Sequence, residues 1–193
     1  METLSLKIAD FLVKNGIARE LRDVCAYGIV GLFSTALILA LLTAAGFILG
    51  RPLHMLVFIL AWLPLRMIVG GAHASTHWMC TLVSVGLGTV SVWLSDYINS
   101  FPMIAIAALS LCCYAVFFLT APVVHKNHPI SMRRYRITRI IARIYAAVEC
   151  TVIILLALIG SRMTAPAFMG YFTTAVLAAI GWFSKITDKT YRT

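Results

Sequence analysis

The sequence predicts an all-α, polytopic membrane protein of about six transmembrane helices with an amphipathic interfacial helix at its N-terminus. Three observations predict it. Of 193 residues, 61% are hydrophobic and only 12% charged, whereas a soluble domain is nearer half apolar and a quarter charged. The apolar residues gather into runs long enough to cross a bilayer. The lysines and arginines fall almost entirely on one side of the resulting threading, which is the pattern that orients helices in membranes.

Taken in order, residues 3 to 26 carry Leu4, Ile8, Phe11 and Leu12, then Ala18, Leu21, Val24 and Cys25, spaced three to four apart among charges. This periodicity predicts a helix lying in the membrane interface, broken near Gly16. Gly28 to Leu49 then runs 22 residues without Asp, Glu, Lys or Arg, and at 1.5 Å per residue it extends roughly 33 Å, enough to cross a hydrocarbon core. That run is too long for the apolar part of a signal peptide, and residues 1 to 27 are mixed in charge, so a retained anchor is expected. The remaining spans are Pro52 to Leu65 extending toward Val69, Met79 to Ile98, Met103 to Val124, Ile144 to Gly160 and Ala165 to Ser184. Pro52, Pro64 and Arg66 shorten the clean apolar part of the second to a length that also suits a re-entrant segment.

With both termini in the cytoplasm, all of the 16 Lys and Arg except Arg51 and Arg162 lie inside, so an even number of spans is expected. The net charge of +9 is thereby read as a topology signal and not as a nucleic-acid interface. The partner this implies is the lipid bilayer, with no nucleic acid. No long repeat or low-complexity linker divides the chain, which is read as a single membrane-embedded domain over 1–193: an amphipathic region 1–27, a bundle 28–184 and a tail 185–193. The five cysteines, Cys25, Cys80, Cys112, Cys113 and Cys150, show no pairing pattern of a secreted framework.

Polar chemistry collects between the second and third spans, from Arg66 through Gly70-Gly71-Ala72-His73-Ala74-Ser75-Thr76-His77 to Cys80. Ionisable groups at membrane depth are costly and tend to face an interior or a cavity. Three readings follow. On one straight helix, His73, His77 and Cys80 would share a face suited to a metal, although a clear fourth ligand is missing. A Cys–His pair would let imidazole take the thiol proton for attack on a carbonyl. The third reading is packing and solvation only. Spacing does not choose among them, and it adds a constraint: seven residues of straight helix separate His73 from Cys80 by roughly 10 Å, too far for a hydrogen bond. His77 fits better on that geometry. His73 can serve only if the helix starts after it, with Gly70-Gly71 folding the imidazole back over the thiol.

At these residues the sequence resembles the accessory gene regulator protein B (AgrB) family, membrane peptidases of Gram-positive quorum sensing. The matching residues are Arg66, Gly71-Ala72-His73-Ala74 and Cys80. Ala121-Pro122 followed by Lys126, Pro129-Ile130 and a basic run is similar to that family's cytoplasmic loop after the fourth span. The resemblance implies Cys80 as nucleophile and His73 as base, with Arg66 and Gly71 supporting the site at the cytoplasmic face of a bacterial cell membrane. It implies an AgrD-like propeptide substrate with an amphipathic leader, a signal segment and an acidic tail, and it implies a homodimer. No metal and no cofactor is expected.

Other polar residues have two readings each. Lys126, Arg133, Arg134 and Arg136 lie in an acid-free stretch from His125 to Arg143 that suits an acidic tail, and equally suits the positive-inside rule and anionic headgroups. The N-terminal helix is an anchor or a dock for the substrate leader. Glu149, inside the fifth span, needs a partner or a cavity; Arg66, a loop arginine or protonation would satisfy it, and orienting His73 is a sharper role. Ser75 hydrogen-bonds within the site or caps locally. Asp96 is expected to be solvated, and Cys25, Cys112, Cys113 and Cys150 to pack. A small transporter or channel using Glu149 and the histidines is the alternative from another class, though no inverted repeat is visible.

Overall fold

The computed structural model describes residues 8, 10, 11, 13, 22–70, 77–123 and 132–187. Among these the chain is all-α, with seven helices: α1 Arg22–Ile48, α2 Pro52–Val69, α3 His77–Trp93, α4 Ser95–Asn99, α5 Met103–Thr120, α6 Met132–Leu158 and α7 Thr164–Thr187. Helices α1, α2, α5, α6 and α7 are long and apolar enough to cross a membrane, and α3 is apolar but shorter. The amide of Leu94 donates to Val90 and that of Ile98 to Leu94. The helical ladder thus carries over from α3 into α4, and the pair covers the third expected span. Six expected spans are therefore five long helices and one short one with an appended turn.

Three boundaries differ from the expectation. Helix α1 starts at Arg22, so the end of the expected interfacial helix is already the first turn of the span; most of the remainder lies outside the described residues. Asp10 pairs with Arg22 at 2.6 Å, which ties the N-terminal segment to that turn. Helix α2 runs unbroken through Pro64 to Val69, which removes the reason for a re-entrant reading. Helix α6 starts at Met132, not near Ile144. The stretch taken for a loop through Arg143 is helical from Met132 because it holds neither Gly nor Pro and is rich in arginine, a good helix former. Charge had marked it as outside the lipid, and charge says nothing about helicity.

Helix α7 is the centre of the bundle, with more than half of its apolar window buried, against less than a third in the other long helices. It packs on α2, α3, α4, α5 and α6. Small residues allow this close approach where lipid supplies no hydrophobic drive between helices. A Cβ on Gly170 would stand 2.9 Å from the Phe58 carbonyl and from Ala61 Cβ, so this residue sets the α2–α7 distance. The hydroxyls of Thr173 and Thr174 are satisfied within α7, donating to Met169 and Gly170 carbonyls. Tyr171 is fully buried, donates to the Ala146 carbonyl at 3.0 Å and meets Phe117 edge to face. One apolar cluster surrounds it; a second, around Leu42, Met55, Phe58 and Trp62, joins α1 to α2 and α3.

Of the remaining cysteines, Cys113 and Cys150 are buried and Cys25 partly so, as packing residues should be, while Cys112 is exposed on α5. Asp96 is exposed but pairs with Arg51 instead of standing free in solvent. Gly88 of α3 is used within the chain, where it lets α1 approach closely, since a Cβ there would meet Leu42 at 2.5 Å.

Candidate active site

Helix α2 ends at a junction built around Gly70. Its amide donates to Arg66 at 3.0 Å, closing the last turn, and Arg66 Nη1 donates back to the Gly70 carbonyl at 2.7 Å. The Gly70 backbone then turns to φ 76° and ψ −146°, a region open to glycine alone. One residue earlier, the Val69 carbonyl accepts the Val123 amide at 2.8 Å, and Gly70 and Val123 form an isolated parallel bridge. A Cβ on Gly70 would lie 2.7 Å from the Val123 carbonyl oxygen. Glycine is thus required twice, by its dihedral angles and by a neighbouring backbone.

Helix α3 begins at His77. The break at Gly70 rules out one continuous helix from Arg66 to Cys80, and the face that His73 would share with His77 and Cys80 falls partly outside the described residues. The condition set for a His73–Cys80 pair falls on residues 71–76, outside the described residues. Cys80 is a partly buried free thiol in the first turn of α3, where the positive end of the helix dipole lies. Arg66 and Cys80 are close enough to interact electrostatically. His73, Gly71, Ser75 and Lys126 lie outside the described residues.

The other wall of the junction comes from the end of α5, where Ala121-Pro122, a cis peptide, leads to Val123. Arg143 of α6 donates to the Phe118 carbonyl at 2.8 Å and lays its guanidinium 3.7 Å from the Phe118 ring centre. It satisfies a carbonyl in the last turn of α5 and joins α5 to the base of α6. Arg133, Arg134 and Arg136 are exposed on the basic extension of α6. The structure therefore brings Arg66, Gly70, Val123 and Cys80 to one end of the bundle. Val123 and Arg143 were missed from sequence, although Ala121-Pro122 marked the right place.

An accessory gene regulator B model matches residues 5–186. The chain belongs to the accessory gene regulator B family. Comparisons with curated proteins and with solved structures return no match. Membership places this multi-pass membrane protein in accessory gene regulator processing. Within this AgrB chain, the motif stretches around Arg66 and around Ala121-Pro122 are 55 residues apart in sequence yet share the Gly70–Val123 bridge.

Glu149 of this AgrB chain stands apart from that junction. Both its carboxylate oxygens are buried and have no hydrogen-bond partner among the described residues. It lies on the stripe of α6 that also buries Ala142, Ala146, Cys150 and Ile153. Neither Arg66, which bonds Gly70, nor Arg143, which bonds Phe118, satisfies it. A buried carboxyl without a partner costs stability. Glu149→Leu is therefore expected to stabilise the protein by ~1–3 kcal/mol in a detergent melt and to leave processing intact. A loss of processing with an unchanged melt would instead assign Glu149 to the site.

Proposed function

We propose that this chain is a membrane cysteine endopeptidase that removes the C-terminal tail of an AgrD-like propeptide and closes the signal segment into a thiolactone or lactone. The observation that carries this reading is the helix break at Gly70, which ends α2 and leaves Arg66 within electrostatic reach of the Cys80 thiol at the start of α3.

His73 takes the Cys80 proton, and the sulfur attacks the carbonyl at the end of the signal segment. The resulting oxyanion is favoured by a cation and by the positive end of a helix, which Arg66 and the first turn of α3 supply. The peptide C–N bond then breaks, the His73 proton goes to the leaving amine, and the signal segment remains as a thioester on Cys80. An internal Cys or Ser of the peptide attacks that thioester and gives its proton to His73. The bond to Cys80 breaks and the thiol is restored. No oxidant is needed, and the activated acyl group is conserved when sulfur replaces sulfur. A site at the membrane face limits hydrolysis of the thioester.

Arg133, Arg134 and Arg136 on the extension of α6, with Lys126, bind the acidic tail by charge complementarity. A homodimer with both termini and the site on the cytoplasmic side completes the reading. Purified protein incubated with a candidate propeptide tests it by intact-mass spectrometry. A released tail and a peptide adduct on Cys80 are expected, both absent in Cys80→Ser, with weaker tail capture when the three arginines are replaced by Glu. Tail release that persists in Cys80→Ser would overturn the proposal.

A further inference from the structure

The end of the bundle opposite Cys80 holds a half-open cavity of about 310 Å³ between the start of α5, the end of α6 and the α6–α7 turn. Phe101, Met103, Ile106 and Ala157 form its apolar side, and Ser161 and Arg162 its polar rim. The volume falls within the range of small-molecule sites and exceeds what a single ion needs.

The rim is a built structure. The Asn99 side-chain amide donates to the Arg162 carbonyl at 3.1 Å, and its oxygen accepts the Ala165 amide at 3.3 Å, so one side chain fixes the turn carrying Arg162 against α4. Ser161 Oγ accepts the Met163 amide at 3.2 Å, which leaves its proton available for a ligand.

Charge at this end is unbalanced. Arg51 is engaged by Asp96 and by the carbonyls of Val92 and Trp93. Asp96 is the one acid among the described residues here, so Arg162, which is exposed, has no carboxylate to pair with. The cavity also lies where the apolar spans Met103–Thr120, Met132–Leu158 and Thr164–Ser184 meet their ends, at headgroup depth.

We propose that this cavity binds an anionic phospholipid, its phosphodiester against Arg162 and Ser161 and the upper part of one acyl chain along Met103, Ile106 and Ala157. A soluble anion would use the rim and leave the apolar side empty. A lipid uses both, and Ile104 and Leu158, next in sequence to the lining residues Met103 and Ala157, are exposed large apolar side chains beside which an acyl chain can continue.

Native mass spectrometry of the full chain, released from micelles holding phosphatidylglycerol or phosphatidylcholine, tests this independently of peptidase activity. Wild-type protein is expected to retain one phosphatidylglycerol in preference to phosphatidylcholine. Arg162→Gln is expected to weaken that retention about fivefold, the factor for one basic residue near an anionic surface. Ala157→Trp, which fills the apolar side, is expected to abolish it with Arg162 still present, in protein whose melt matches wild type. Equal retention of the two lipids, unchanged retention in Arg162→Gln, or full displacement by inorganic phosphate would each overturn the proposal, the last by assigning a free-anion site.

Discussion

Replacing His73 with alanine is expected to lower tail release by ~10²–10⁴-fold, the usual worth of a positioned general base, while His77→Ala leaves processing measurable. The expectation runs against simple spacing. His77 opens α3 and Cys80 follows within one turn, so on a single helix His77 would be the nearer base. His77 and Cys80 do share α3, and the preference for His73 rests on the family motif Gly71-Ala72-His73-Ala74 with Cys80. The dihedral angles of Gly70 end α2 three residues before His73. Single-turnover cleavage of a propeptide, with protein folding checked by thermal melt, reads the difference. Loss in His77→Ala with His73→Ala active would reverse the assignment and leave Cys80 as nucleophile.

The second large effect belongs to Gly70. Gly70→Val forces a β-branched residue into a dihedral region that costs ~1–3 kcal/mol and drives a Cβ to within 2.7 Å of the Val123 carbonyl. The bridge must open, and the Arg66–Gly70 hydrogen bond with it. A destabilisation of ~3–5 kcal/mol and loss of processing are expected. Gly50→Ala provides the comparison. Gly50 also has positive φ, 67°, but nothing within 4 Å of its Cβ position, so only the dihedral cost of ~1 kcal/mol applies. Melts and processing of the two variants separate strain from collision; a Gly70→Val protein that melts and processes like Gly50→Ala would show that the Val123 contact is dispensable.

Much of the fold is written locally, and those parts were legible. Twenty or so apolar residues without a charge leave the chain little choice but a helix, because every backbone amide and carbonyl must be bonded where no water is available. The runs beginning at Gly28, Met103 and Ala165 show this directly. Family motifs pointed to Arg66 and Cys80, and the structure places the two within electrostatic reach of each other.

The misread boundaries have one cause. Hydropathy reports partition into lipid and not backbone conformation, so the arginine-rich start of α6 was taken for loop. The break of the third span at Leu94 carries no Gly or Pro to announce it.

By itself, then, the sequence determined an all-α membrane chain of the accessory gene regulator B type, because lipid compatibility and short motifs depend on neighbouring residues. Only the tertiary structure decided that Gly70 must meet Val123, that Arg143 holds the end of α5, that Gly88 is used within the chain, and that Arg162 rims a cavity. Each of these depends on two segments far apart in sequence arriving at one place. Close packing around α7, and not any local pattern, brings them there.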